Sequence, residues 1–296
     1  MKKALILISM GLLTSDIFAQ AAASSSESTP ITSKKGEMYL PQAGDWAISL
    51  DATPWLNYFG NLFHGPASTA STTFLNSNQT IVGKYYINDH TAYRFLVRLG
   101  VNSTSQNQYI SSSDTGSSTF PVPQVEDKRT ISSHYIGVGF GIEKRKGKTR
   151  LQGYYGMEAM IYIAGSDTTF SYGNTYNQNT DPSPGWWDWS SSTTASGLPR
   201  LTQDAPGSTF GISVLAFGGI EYFIAPKISI GGEFTWGINF QTTGQGSYNR
   251  EEINSVTGAD QTDTYKSGGG TTFSLDNGWN QAFGSGSASL YIIFHF

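Results

Sequence analysis

From about residue 45 to its end the chain alternates large apolar residues with polar or small ones at a period of two, over one short stretch after another. That period belongs to strands, whose successive side chains point to opposite faces, and here one of the two faces is apolar throughout. In 91–102, Tyr93, Phe95, Val97, Leu99 and Val101 oppose Arg94, Leu96, Arg98 and Gly100. The same rhythm marks candidate strands at 45–58, 79–87, 131–143, 149–164, 209–224, 228–241 and 290–296. The connections alternate strictly. Short polar turns lie at 88–90, 144–148 and 225–227, and long Ser-, Gly- and Asp-rich segments at 59–78, 103–130, 165–208 and 242–284. Pro54 lacks a ladder donor and belongs at a bulge or strand end. The prediction is all-β: an eight-stranded antiparallel transmembrane β-barrel with short periplasmic turns and long extracellular loops.

A soluble eight-stranded barrel is the main competitor, but its outward face is polar. Here the presumed outward set is apolar on strand after strand, as in Ile136, Val138, Phe140 and Ile142 or Phe234, Trp236, Ile238 and Phe240. The sequence holds no cysteine, which excludes a disulfide scaffold and thiol chemistry. Charged residues make up 14%, low for a soluble domain of about 25%, beside 34 glycines. Lys2, Lys3 and the apolar run 4–13 before Ala19 read as a signal peptide over 1–19. Residues 20–44 read as a flexible periplasmic segment, and 45–296 as the barrel. The acidic balance, net charge −4, gives no basic excess for nucleic acid.

Two stretches resemble a known group. GKYYINDHTAYRFLVRLG, residues 83–100, resembles the strand–turn–strand unit of small outer-membrane barrels of Bacteroidota, loosely related to the OmpA and OmpW groups of eight-stranded barrels. The last strand, ending on Phe296, resembles the C-terminal strand that barrel-insertion machinery reads through residues such as Leu290 to Phe296. The resemblance implies a cell outer membrane location and contact with outer-membrane lipid and lipopolysaccharide. It also allows partnership with other outer-membrane proteins. The OmpW likeness implies a competing role, a narrow pore or a lateral-diffusion channel for small or hydrophobic molecules.

Parity assigns the charged strand residues to the inside: Asp51, Lys84, Arg94, Arg98, Glu143, Glu158, Glu221 and Glu233. Charges enclosed in a narrow interior are expected to pair, as a structural network rather than an ion path. Lys144, Arg145, Lys146 and Lys148 read as a basic surface turn. The cluster Trp186, Trp187 and Trp189 is a candidate loop contact site or a hydrophobic plug. No catalytic, cofactor-binding or metal motif is read: His134 and Ser132 share an outward face, with no acid beside them in sequence. The expected role is non-enzymatic, structural, adhesive or as an accessory subunit, carried by the extracellular loops; a lipid-modifying barrel enzyme stands last.

Overall fold

The computed structural model describes residues 31–52, 81–112, 120–121, 123–176, 199–254, 256–276 and 288–296. They form one antiparallel sheet of twelve strands: β1 (Trp46–Asp51), β2 (Ile81–Asn88), β3 (Thr91–Ser111), β4 (Gln124–Lys146), β5 (Leu151–Ser171), β6 (Arg200–Ala205), β7 (Thr209–Ala225), β8 (Ile228–Thr243), β9 (Gly246–Ile253), β10 (Asp260–Ser267), β11 (Gly270–Asp276) and β12 (Ala288–His295). Pairing runs from β1 to β2, β3, β4, β5, β7, β8 and β12, and β12 pairs with β1. Each of these eight strands therefore has a neighbour on either side, and the path of pairings returns to its start.

The other four strands continue the sheet at one end, called the upper end below. β7 leaves β5 where Thr209 faces Ala164, and β6 takes its place opposite Thr168 and Thr169. β9 pairs with β6, and β10 with β9. β11 lies along β8 from Gly237 to Thr243, directly above the part of β8 that β12 occupies.

Three segments expected as long loops are thus strand over much of their length. The β3–β4 ladder runs unbroken from the Thr91–Lys144 pair to the Ser111–Gln124 pair. Segment 242–284 contains β9, β10 and β11. Beyond Val101 the outward residues become Ser103, Ser105 and Asn107, so both faces are polar and the apolar period disappears. The strands persist because hydroxyl and amide side chains pair across the ladder: Ser103 Oγ lies 3.2 Å from Ser132 Oγ and Ser105 Oγ 3.4 Å from Thr130 Oγ1.

Below that level the two faces differ sharply. On β8, Ile230, Phe234, Trp236, Ile238 and Phe240 are exposed, and on β7 so are Phe210, Ile212, Val214, Ile220, Tyr222 and Ile224. The alternate positions are buried, among them Leu96, Tyr154, Met160, Tyr162, Leu215, Phe217 and Ile293. The buried set is called the inner face. Glycines make room there: a Cβ on Gly219 would lie 2.5 Å from Cζ of Tyr154.

At the lower end, residues 31–44 of the stretch expected as a flexible lead fold against the turns. Thr32 and Met38 form a β-bridge, and Tyr39 is buried beneath the Arg150 guanidinium, 3.8 Å from its ring centre. The Gly44 N–H donates to the Tyr86 carbonyl, and Lys227 pairs with Asp45. Ile31, Met38, Leu40, Pro41 and Gln42 line one side of a cavity of about 130 Å³, and Asp89, His90, Arg145 and Gln152 line the other.

Candidate functional site

Strand alternation delivers seven of the eight expected charged residues to the inner face. Lys84 of β2, Arg94 and Arg98 of β3, Glu143 of β4, Glu158 of β5, Glu221 of β7 and Glu233 of β8 are all buried. Asp51 lies in β1 opposite Tyr291, and its side chain falls outside the described residues.

Arg94 is the centre of the group. Its Nη1 and Nη2 donate to the two carboxylate oxygens of Glu233 at 2.7 and 3.1 Å, the bidentate geometry that a planar guanidinium favours. Its Nε is 3.3 Å from Glu158 and its Nη1 3.7 Å from Glu143. The guanidinium also lies over Phe217, 3.9 Å from the ring centre. β3 and β8 are four steps apart along the cycle of pairings in either direction, so the Arg94–Glu233 bond joins the two strands farthest apart in it. Lys84 Nζ closes on Glu143 at 2.8 Å and sits over the Tyr154 ring.

A second group lies toward the lower end, and it contains residues that the sequence did not single out. Arg145, expected in a surface turn, is buried; its guanidinium reaches Glu143 at 3.3 Å, Glu221 at 2.9 Å and the Tyr86 hydroxyl at 2.6 Å. Glu221 also contacts His295 Nε2 at 2.9 Å and accepts from the Ser229 hydroxyl. The parity of β4 carries the signal that was missed: Arg145 is two residues beyond Glu143, so a strand that continues to Lys146 turns it inward. Arg98 stands apart, four residues up β3 from Arg94, with its guanidinium 4.2 Å from the centre of the Tyr135 ring.

The remaining candidates do not converge. Trp186, Trp187 and Trp189 lie outside the described residues. His134 and Ser132 are exposed on the outer face. The register places Asp167 opposite Ser132, an acid that the sequence alone did not reveal, but its carboxylate accepts from Gln203 Nε2 at 2.8 Å. Ser132 faces Ser103. Among the described residues no group of three or more His, Cys, Asp or Glu could hold a metal ion.

The interior chemistry is therefore that of a closed charge network. Each carboxylate meets at least one cation within 3.3 Å, and several side chains are shared between two partners. Breaking one member would leave its buried partners without a counter-charge.

No family model and no curated protein matches the chain. Among solved structures, the outer membrane protein OprG from Pseudomonas aeruginosa aligns over 87% of this chain and 98% of its own, with 9% sequence identity and a TM-score of 0.30. A likeness at that level carries no weight for fold or function.

Proposed function

We propose that the protein is an eight-stranded outer-membrane β-barrel, sealed through its interior, whose upper hairpins face the cell exterior and carry a non-enzymatic adhesive, structural or accessory role. The Arg94–Glu233 bond carries this reading. Two strands four steps apart can join side chains only if the sheet curls on itself, and an eight-stranded barrel is just wide enough for side chains to meet. The bond leaves no open path at its level.

The exposed band supports the membrane setting. From Ile230 to Phe240 it covers ten steps of about 3.3 Å, or about 25 Å of height at a tilt of about 40°, the thickness of the apolar belt of outer-membrane barrels. Backbone groups in such a belt need internal partners, and a closed ladder supplies them. Both termini of the ring, β1 and β12, then start and end on the periplasmic side, where Lys144, Lys146, Lys148 and Lys227 meet anionic inner-leaflet lipid. Lipopolysaccharide contacts the upper outer face, and the insertion machinery acts through Leu290 to Phe296. A conducting or lateral-diffusion role would require the Arg94 cluster to part.

Orientation is testable because the chain has no cysteine. Single cysteines at Ser105 and at Lys148 are exposed to a membrane-impermeant maleimide on intact cells. Labelling of the first and protection of the second is the expected result; the reverse pattern, or protection of both, contradicts it.

A further inference from the structure

The upper end of the inner face holds two buried polar side chains with atoms left unpaired among the described residues. Gln108 of β3 and Asp127 of β4 stand directly opposite each other in the ladder and are 5% and 1% exposed. Among the described residues, both amide atoms of Gln108 and the Oδ2 of Asp127 have no hydrogen-bond partner. Buried polar atoms are nearly always paired, and each exception calls for an explanation.

What covers them is built for the purpose. After β5 the chain turns inward as Tyr172–Tyr176 and crosses β4 toward β3. The Gly173 N–H donates to Asp127 Oδ1 at 2.9 Å, and Asn174 Nδ2 donates to the Ser111 carbonyl at 3.0 Å. A Cβ on Gly173 would lie 2.6 Å from Cβ of Val125, so only glycine lets the segment approach this closely. Arg200 of β6 clasps it from the far side: its Nη1 donates to the Asn174 carbonyl at 2.9 Å, its guanidinium lies over Tyr172 and Tyr176, and its Nε pairs with Glu251 of β9. The segment is a strap, held at four points, the fourth being the Tyr172 hydroxyl that donates to the Leu201 carbonyl at 2.6 Å.

Beneath it lie one amide donor, one amide acceptor and one carboxylate oxygen, the last oriented by the bond that its twin makes to Gly173. Adjacent hydroxyl groups match that set, since each both donates and accepts. An anion is disfavoured by Asp127, and a divalent cation has too few oxygens here. Burial pushes the Asp127 carboxyl above its ordinary range, against the pull of the Gly173 N–H and the Arg200 charge, so a hydroxyl donor would be favoured there.

We propose that Gln108 and Asp127 form a binding site for a neutral saccharide, entered from the upper end when the Tyr172–Tyr176 strap lifts. The proposal rests on this end facing the cell exterior, but its test does not depend on whether the interior conducts.

The test is saturation-transfer difference NMR on the full chain in detergent micelles, with glucose, galactose, mannose, N-acetylglucosamine and maltotriose as probes. At least one probe is expected to receive saturation, reduced at least tenfold in Gln108→Leu. Folding of the variant is checked by its heat-dependent gel mobility. No transfer to any probe, or transfer unchanged in the folded Gln108→Leu variant, overturns the proposal and leaves ordered water as the partner of these atoms.

Discussion

Arg94 shows how much one residue carries in this interior. It touches three carboxylates, Glu143, Glu158 and Glu233, and lies against Phe217. Replacing it with Met leaves Glu158 and Glu233 buried without their ion-pair partner while Glu143 keeps Lys84 and Arg145, and the cost is expected at about 3–5 kcal/mol, read as a lower urea midpoint for unfolding from lipid vesicles. Gly211 is a different case. A Cβ there would collide with the Tyr162 ring, so Gly211→Ala is expected to cost about 1–3 kcal/mol. A double-mutant cycle with Tyr162→Ala should recover at least about 0.5 kcal/mol as coupling; strict additivity would show that the ring has another way to move. Asp127 lies above the apolar band. Burial raises its folded pKa above the unfolded value, so its ionised form weakens the fold. Stability contributed at this site is present at low pH and is lost as pH rises through the raised pKa. Asp127→Asn, which keeps an acceptor for the Gly173 N–H, should raise stability at pH 7 and flatten the pH dependence across the acid range. Unfolding midpoints between pH 4 and pH 7 measure both.

At the scale of the strand, position relative to the apolar band decides what a substitution does. Ala216 is exposed in the middle of β7, and Ala216→Arg is expected to cost about 2–4 kcal/mol in a bilayer. Thr130 lies on the same kind of outward face but above the band, and Thr130→Arg should stay within about 0.5 kcal/mol. Equal costs for the two would remove the membrane reading of the band. The same boundary explains what was legible in the sequence. Where the outer face is apolar, the two-residue period is written in Phe, Ile, Val and Trp, and β2, β3, β7 and β8 are readable from it with the inward charges in place. Above Val101 both faces are polar, and the ladder continues through Ser, Thr, Gln and Asn without an apolar period. The upper halves of β3 to β5, and all of β9 to β11, therefore looked like loop. Arg145 was missed for a related reason: a run of Lys and Arg reads as a solvated turn, whereas β4 extends through it and keeps its parity. Asp167 beside Ser132 and the strap over Gln108 depend on register and chain reversal, which no local pattern encodes.

For the whole molecule, the cycle of pairings, the exposed apolar band and the interior network fit the proposed barrel, a wall of strands around a polar, sealed core. The network has two tiers, Arg94 with Glu158 and Glu233 in the middle and Arg145 with Glu221 and His295 below, joined through Glu143. Residues 31–44 then cover part of the lower end. The account stands or falls on whether that interior is sealed. Planar-bilayer recording of the refolded full chain tests it most directly. The wild type is expected to give no steady unitary conductance, while paired truncation of the central bond, Arg94→Ala with Glu233→Ala, is expected to open discrete channels. Stable, well-defined channels from the wild-type chain would contradict the account.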